Sequence, residues 1–269
     1  MRLLVFVGSQ PRHLYLASRL LEKFPESRLL LMARESMQVL PPDDCSIRDK
    51  ALFLKHFSRR LEVEERVFNS SSESLYTYES AFQTVLPTEL NGPETATMVT
   101  DFCPDACLVF GTDLLKSPVL EILPDETFNV HLGLSPWYRG SATLFWPFYF
   151  MEPQWAGVTV HRLVEAVDHG EVVFQTVPRL HKDMGIHDVA CEAVVAACDK
   201  LLEMLIGMAN GQRIVSQRQM SSGRIFRMRD FRPAHLRVNY EMFNDRMTES
   251  WLDGSLGGVV PQLVDLEFE

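Results

Sequence analysis

The stretch Arg2–Val7, RLLVFV, is apolar at every position after its arginine. A strand with one face in water alternates polar and apolar residues, so a run without alternation calls for cover on both faces. Pro11–Phe24 supplies the first cover, with Leu14, Leu16, Leu20, Leu21 and Phe24 forming a helical apolar stripe. A second strand, Arg28–Ala33, follows at once. This strand–helix–strand order within 269 residues predicts a mixed α/β molecule, either one large domain or a domain with an appendage.

The same grammar continues along the chain. Pro41-Pro42-Asp43-Asp44 breaks it, and a helix is expected over Ile47–Phe68, followed by a serine-rich linker at Asn69–Ser74. Phe82–Leu86 and Ala106–Phe110 read as strands on either side of a helix at Thr95–Phe102. A short helix then leads to a strand through Asn129 and His131. Gly157–Leu163 and Glu171–Val177 alternate as strands, and Asp188–Ala209 is a long closing helix. Expected boundaries are 1–210 for this unit and 211–269 for a C-terminal extension.

Composition excludes several classes. No apolar run approaches the roughly twenty residues that a membrane helix needs. The short apolar start runs straight into a turn without a cleavage site, so a cytoplasmic location is expected. A net charge of -10 disfavours a broad nucleic-acid surface. Arg224, Arg227, Arg229, Arg232 and Arg237 form the densest basic stretch, which an anionic ligand or an acidic neighbouring helix would explain. The five cysteines are scattered and without zinc-ligand spacing, as in a reducing compartment; no metal is expected. On the helix through HFSRRLEVEERVF, His56, Arg60 and Glu64 share a face that is either a solvated salt-bridged surface or an anion site.

Polar chemistry concentrates in FNVHLGLSPWYRGSATLFW, Phe128–Trp146. Strand side chains alternate, so Asn129 and His131 project to one side while Val130 faces the other. Gly133, Ser135 and Pro136 then force a turn, placing the pair at the carboxyl end of its strand, where open α/β sheets bind ligands. Asp168, in VEAVDHG between two later strands, adds a carboxylate. Gly8-Ser9-Gln10 fits neither dinucleotide nor P-loop patterns, and no G-x-S-x-G elbow occurs.

The ordered combination of N-x-H, S-P, R-G, a helix carrying Trp146, G-V-T with His161, and D-x-G at Asp168 and Gly170 resembles the folate-dependent formyltransferases. The resemblance runs from Met1 to about Ala209. It implies a Rossmann-like formyltransferase fold, with a mostly parallel central sheet and helices on both faces, and N10-formyltetrahydrofolate as cosubstrate. Asn129, His131 and Asp168 would be the catalytic trio. An amide N–H and an imidazolium N–H can stabilise the formyl oxygen as it gains charge, and a carboxylate can relay the proton that the amine loses. Phe110, Gly111, Thr112, Leu114 and Leu115, with Val164 and Gly170, would bind the cofactor; Ser135, Arg139, Gly140 and Trp146 would bind the acceptor. Val164, Ala166 and His169 depart from the family's D-E-G-x-D-T-G turn.

The resemblance implies a small-molecule amine as acceptor. A nucleotide-linked amino sugar leads, because the region after Ala209 is short for the further barrel of methionyl-tRNA formyltransferases and GSQPRHL replaces the glycinamide ribonucleotide enzymes' phosphate loop. The alternatives are an amino-acid-derived amine such as N5-hydroxyornithine in siderophore synthesis, a methionyl-tRNA formyltransferase-like activity, a formyltetrahydrofolate hydrolase, or a non-catalytic folate-binding protein. In the extension, a hairpin is expected from Gln212–Gln219 and Arg224–Met228, then a helix over Ala234–Leu252. Its apolar face, Leu236, Tyr240, Phe243 and Met247, is covered either by the chain's own core or by a homodimer partner.

Overall fold

The computed structural model describes residues 1–33, 39–75, 78 and 81–269. Its elements in chain order are β1 (Leu3–Gly8), α1 (Pro11–Lys23), β2 (Arg28–Met32), α2 (Ile47–Ser74), β3 (Phe82–Val85), α3 (Pro93–Phe102), β4 (Ala106–Phe110), β5 (Thr127–His131), β6 (Arg139–Gly140), α4 (Trp146–Tyr149), β7 (Val158–Arg162), β8 (Val172–Thr176), α5 (Ile186–Ala209), β9 (Ile225–Phe226) and α6 (Met247–Leu252). Seven strands form one sheet in the order β3-β2-β1-β4-β5-β7-β8. β1 to β5 run parallel, while β7 is antiparallel to both β5 and β8.

The unbroken apolar strands have two covered faces. Leu3, Val5 and Val7 pack with Leu16, Leu20 and Leu201 on one side, while Leu4 and Phe6 pack with Leu30, Val99 and Val109 on the other. Each fully buried side chain of this size contributes about 1.5–3 kcal/mol. The strand order reverses between β1 and β4, where doubly wound sheets open a ligand crevice. Here that crevice is filled: His13 is buried, its ring lies edge-on to Phe110 at 4.6 Å, and a Cβ on Gly8 or Gly111 would collide with it. The loop after β1 is thus closed by a side chain where a phosphate loop would leave backbone open.

Three expectations need correction. Asn69–Ser74 is not a linker, because α2 continues to Ser74; serine costs a helix only a few tenths of a kcal/mol. The expected hairpin of the extension does not form. Gln217 instead bridges Val172, Ile214 bridges Phe268, and β9 pairs in parallel with β6, because the main sheet and the Arg139–Gly140 segment offer nearer partners.

The expected helix over Ala234–Leu252 is broken into a 3₁₀ turn (Pro233–His235), a π-helical turn (Val238–Met242) and α6. Asn244 and Asp245 have φ of 49° and 59° at the break. This places Asp245 Oδ1 to accept the Ile186 N–H at the start of α5 and an Asn239 side-chain N–H. The apolar residues nonetheless find cover within the chain: Leu236, Tyr240 and Met247 pack with Phe53, Phe145, Trp146 and Ile186, with Phe243 at the margin.

Candidate active site

β5 and β7 are antiparallel, with Asn129 opposite His161 and His131 opposite Thr159. Directly opposed residues point to the same face, so four polar side chains line one patch at the carboxyl end of β5. Thr159 anchors the turn that follows: its hydroxyl donates to the Gly133 carbonyl at 2.8 Å and accepts the Ser135 N–H at 2.9 Å. Gln175 on β8 donates to the Ser135 carbonyl and to Thr159 Oγ1.

Asp168 enters this patch from the connection between β7 and β8. Its Oδ1 lies 3.3 Å from His131 Nδ1, 3.3 Å from Asn129 Nδ2 and 3.6 Å from His161 Nε2. Its Oδ2 accepts the backbone N–H of Gly140 at 2.8 Å. Asn129 Nδ2 also lies 3.1 Å from His161 Nε2. His161 Nδ1 faces the Arg162 carbonyl at 2.8 Å, which makes Nδ1 the protonated nitrogen and Nε2 the acceptor for the Asn129 amide. His131 differs: Nε2 faces the Tyr138 carbonyl at 2.7 Å and Nδ1 faces the carboxylate. Both neighbours accept only, so the geometry suits a doubly protonated ring.

Burial raises the Asp168 pKa, but His131, His161 and the Gly140 N–H together outweigh it and hold the carboxyl at about 2. Burial pushes the His131 pKa down, against the pull of Asp168 and the Tyr138 carbonyl. These directions oppose one another, since a neutral His131 supports the carboxylate less. The lowered Asp168 is the firmer of the two, because the Gly140 N–H and the Asn129 amide donate to it whatever the charge of His131.

The residues expected to bind the acceptor are used inside the protein. Arg139 is buried, with its guanidinium donating to the carbonyls of Val167 and Ser222. Gly140 has φ 92° and lies so close to the Phe226 carbonyl that a Cβ would clash. Ser135 is buried in the turn held by Thr159 and Gln175. Trp146 is buried, stacks on Phe226 at 4.6 Å and donates its indole N–H to the Ser141 carbonyl.

Among the expected cofactor residues, Phe110 and Leu115 are core side chains. Gly111 and Leu114 are exposed and Thr112 half-buried. Val164 and Gly170 line a cavity of about 650 Å³ with Glu165, Ala166, His169, Glu171, Arg218 and Gln219. The Gly170 backbone is pressed against Arg162 on β7, leaving no room for a side chain.

The His56/Arg60/Glu64 face turns inward. His56 and Glu64 are buried, and Glu64 accepts from Arg12 at 2.5 Å with Arg60 at 3.9 Å. Of the basic stretch, Arg232 and Arg237 pair with Asp44 and Asp49 near the start of α2, and Arg224 lies over Phe150 and Phe226. His161 and Thr159, read only as parts of the G-V-T motif and given no role of their own, and Gln175 and Gln219, which pattern reading passes over, are further polar residues of this region. Alternation within β7 and β8 was the available signal for the first three. All five cysteines are free, no group of metal-ligating side chains occurs among the described residues, and no described helix is long and apolar enough to cross a membrane.

A mostly parallel seven-stranded sheet of this order, with an Asn–His–Asp cluster at one strand end, is a Rossmann-like architecture. The family description "Formyl transferase" matches residues 60–201, more than half of the chain, and the chain belongs to that family. Among solved structures it is similar to phosphoribosylglycinamide formyltransferase from Anaplasma phagocytophilum (TM-score 0.57, 13% identity, covering 84% of this chain and 97% of that one). A sugar N-formyltransferase from a Shewanella species gives TM-score 0.56 at 13% identity, covering 86% of this chain and 78% of that one. An N-formyltransferase from Helicobacter canadensis, in complex with folinic acid and dTDP-3-aminofucose, gives TM-score 0.55 at 14% identity, with 86% and 72% covered. At these identities the likeness is one of fold.

Proposed function

We propose that this formyltransferase moves the formyl group of N10-formyltetrahydrofolate to the amine of a nucleotide-linked amino sugar, with Asn129, His131 and Asp168 as the reacting set. The observation that carries the reading is the half-buried Asp168, whose carboxylate is met by His131, Asn129 and His161 within 3.6 Å at one strand end. The cosubstrate supplies an activated formyl carbon. Everything else must come from the chain: a donor for the formyl oxygen as it gains charge, and a base for the proton of the attacking amine.

Asp168 and the Tyr138 carbonyl both favour protonated His131 and take up its two N–H groups; the Nδ1–H, at 3.3 Å from Asp168 against 2.7 Å for Nε2 to Tyr138, is the donor that an incoming formyl oxygen draws away at the lower cost. Asn129 has its amide nitrogen committed to His161 and Asp168 in this state. The 3.3 Å contact to Asp168 is the longer of the two, and an incoming oxygen replaces it at the lower cost. Asp168, held ionised, takes the proton of the attacking amine and passes it to N10 as the bond between N10 and the formyl carbon breaks, which releases tetrahydrofolate. The cavity of about 650 Å³ beside the Asp168 turn lies within the range of pockets that hold a small organic cofactor.

For the acceptor, a second groove of about 330 Å³ is lined by Trp137, Tyr138, Phe150, Glu152, Gly223, Arg224 and Phe226. Trp137 is exposed there and Arg224 lies over two aromatic rings. An aromatic platform with a guanidinium is what a nucleotide diphosphate requires. The Helicobacter canadensis protein, which shares the fold, is solved with dTDP-3-aminofucose.

The test is consumption of N10-formyltetrahydrofolate by purified protein across a panel of amines containing dTDP- and UDP-linked amino sugars and N-hydroxylated ornithine. Turnover is expected with a nucleotide-linked amino sugar and absent without amine. Equal loss of cosubstrate with and without every amine would establish a hydrolase instead, and turnover confined to hydroxyornithine would move the acceptor to the amino-acid class.

A further inference from the structure

We propose that Gln219, in the C-terminal segment, is a positioning residue for this reaction: its side-chain amide grips the peptide carbonyls of Asp168 and Gly170 and so fixes where the Asp168 carboxylate stands. The proposal rests on the reading of Asp168 as part of the reacting set. Gln219 Nε2 donates to the Asp168 carbonyl at 2.8 Å and to the Gly170 carbonyl at 2.9 Å. One NH₂ group has two N–H bonds, and both are used on a single turn.

The turn needs such a clamp. Asp168 has φ 47°, a left-handed conformation that costs a non-glycine residue about 1 kcal/mol or more unless its surroundings impose it. The surroundings do so at three successive places. Arg139 holds the Val167 carbonyl, Gln219 holds the carbonyls of Asp168 and Gly170, and the Gly140 N–H holds the carboxylate itself. Among the described residues, Gln219 is the side chain that binds the turn on the far side of Asp168 from Arg139.

Gln219 is itself fixed from both directions along the chain. Gln217 exchanges two backbone hydrogen bonds with Val172 at 2.7 and 2.8 Å. The Ser222 carbonyl accepts from Arg139 at 2.6 Å, and the Arg224 N–H donates to the Pro136 carbonyl at 3.1 Å. The segment from Gln217 to Phe226 therefore crosses the site as a strap that is tied to β8 at one end and to β6 at the other. Arg139 links the strap to the Asp168 turn through the same guanidinium.

Displacement of the carboxylate by a few tenths of an ångström alters what His131 experiences, because Asp168 Oδ1 is 3.3 Å from its Nδ1. The other charged and titratable neighbours acting on His131 are His161 and Arg139. The test is the titration of the His131 C2–H by NMR in the 269-residue chain without ligand, comparing wild type, Gln219→Leu and Asp168→Asn. Gln219→Leu keeps the volume and removes both donors. Its His131 midpoint should fall by about 0.5 or more, towards the Asp168→Asn value.

Alongside, turnover with the amine that proves active in the panel should fall about tenfold in kcat, with KM for that amine within about twofold. Should Gln219→Leu fail to fold, Gln219→Met, which also lacks both donors and adds no charge, must show the same fall in midpoint. A titration that superimposes on the wild type in either folded variant overturns the role of Gln219. Wild-type protein that transfers nothing in the panel removes the reaction on which the proposal rests, whereas the titration still reads whether Gln219 holds Asp168.

Discussion

Asn129 Nδ2 stands 3.1 Å from His161 Nε2 across the β5–β7 ladder, and the Arg162 carbonyl beyond it fixes which ring nitrogen accepts. The amide of Asn129 is thereby turned before any ligand arrives. His161→Phe keeps the buried ring and deletes the acceptor. It should lower turnover by about tenfold and destabilise the protein by about 1 kcal/mol, the net worth of the hydrogen bond that the half-buried Asn129 amide loses. Steady-state kinetics and urea unfolding on one preparation check both; unchanged kinetics would show that Asn129 needs no such support.

His131→Ala, Asn129→Ala and Asp168→Ala are each expected to reduce turnover by about a hundredfold or more, through loss of a donor or a base. Because His131 and Asn129 both meet the Asp168 carboxylate, the double variant His131→Ala/Asp168→Ala should be barely worse than the more damaged single. Near-normal turnover in folded His131→Ala removes the assignment.

Acid stability follows from a second buried pair. Burial, with His187 and Arg60 adding to it, drives the His56 pKa well down; burial and then Arg60 bring His187 to about 3. Both rings fold neutral, so the unfolded chain binds more protons in mildly acidic solution. Their contribution is complete above about pH 6.5 and is lost as pH falls from there towards the folded values. Urea unfolding should lose about 1–2 kcal/mol per histidine between pH 7 and pH 5. His187→Leu should flatten that slope; a slope as steep as the wild type's would assign the loss to other groups.

Gly140→Ala is expected to be severe. Residue 140 has φ 92°, its N–H binds Asp168, and the Phe226 carbonyl occupies the place of a Cβ. Strain and steric displacement of β9 should lower the thermal midpoint by about 5 °C or more and weaken turnover together. Differential scanning calorimetry with activity on the same sample measures both.

Truncation after Gly211 should yield an insoluble or inactive chain. It removes Phe226, Leu236, Tyr240 and Met247 from a cluster they share with Phe145 and Trp146, and Gln219 from the Asp168 turn. A soluble, fully active fragment would mean that the proposed reacting set needs no support from the extension.

The local patterns that proved readable were those set by short-range physics. The apolar runs at Arg2–Val7 and Ala106–Phe110 became central strands, and Asn129, His131 and Asp168 do converge. His161 was visible as part of a motif, but its place opposite Asn129 depends on a strand register that no single segment specifies. Gln219 was harder still: its partners are 51 and 49 residues away in sequence, and nothing in its neighbours marks it. The expected helix over Ala234–Leu252 failed for a similar reason. Its apolar spacing was sound, yet Asp245 is bent out of helical geometry to bind the start of α5, an interaction invisible to periodicity. Arg139 and Trp146 were recognisable as important, but whether a side chain faces a ligand or a neighbouring carbonyl is decided only by packing.

The strap from Gln217 to Phe226 also sets an order of events during biosynthesis. Asn129, His131, His161 and Asp168 all leave the ribosome before it, and the sheet that carries them can assemble first, since nascent chains fold from the amino end. Such a chain would possess every polar group of the centre while the Asp168 turn lacked its far anchor. A chain halted before the strap emerges would hold the trio's side chains on an unanchored turn, so it is the arrival of the strap, and not of the last side chain of the trio, that would complete the site.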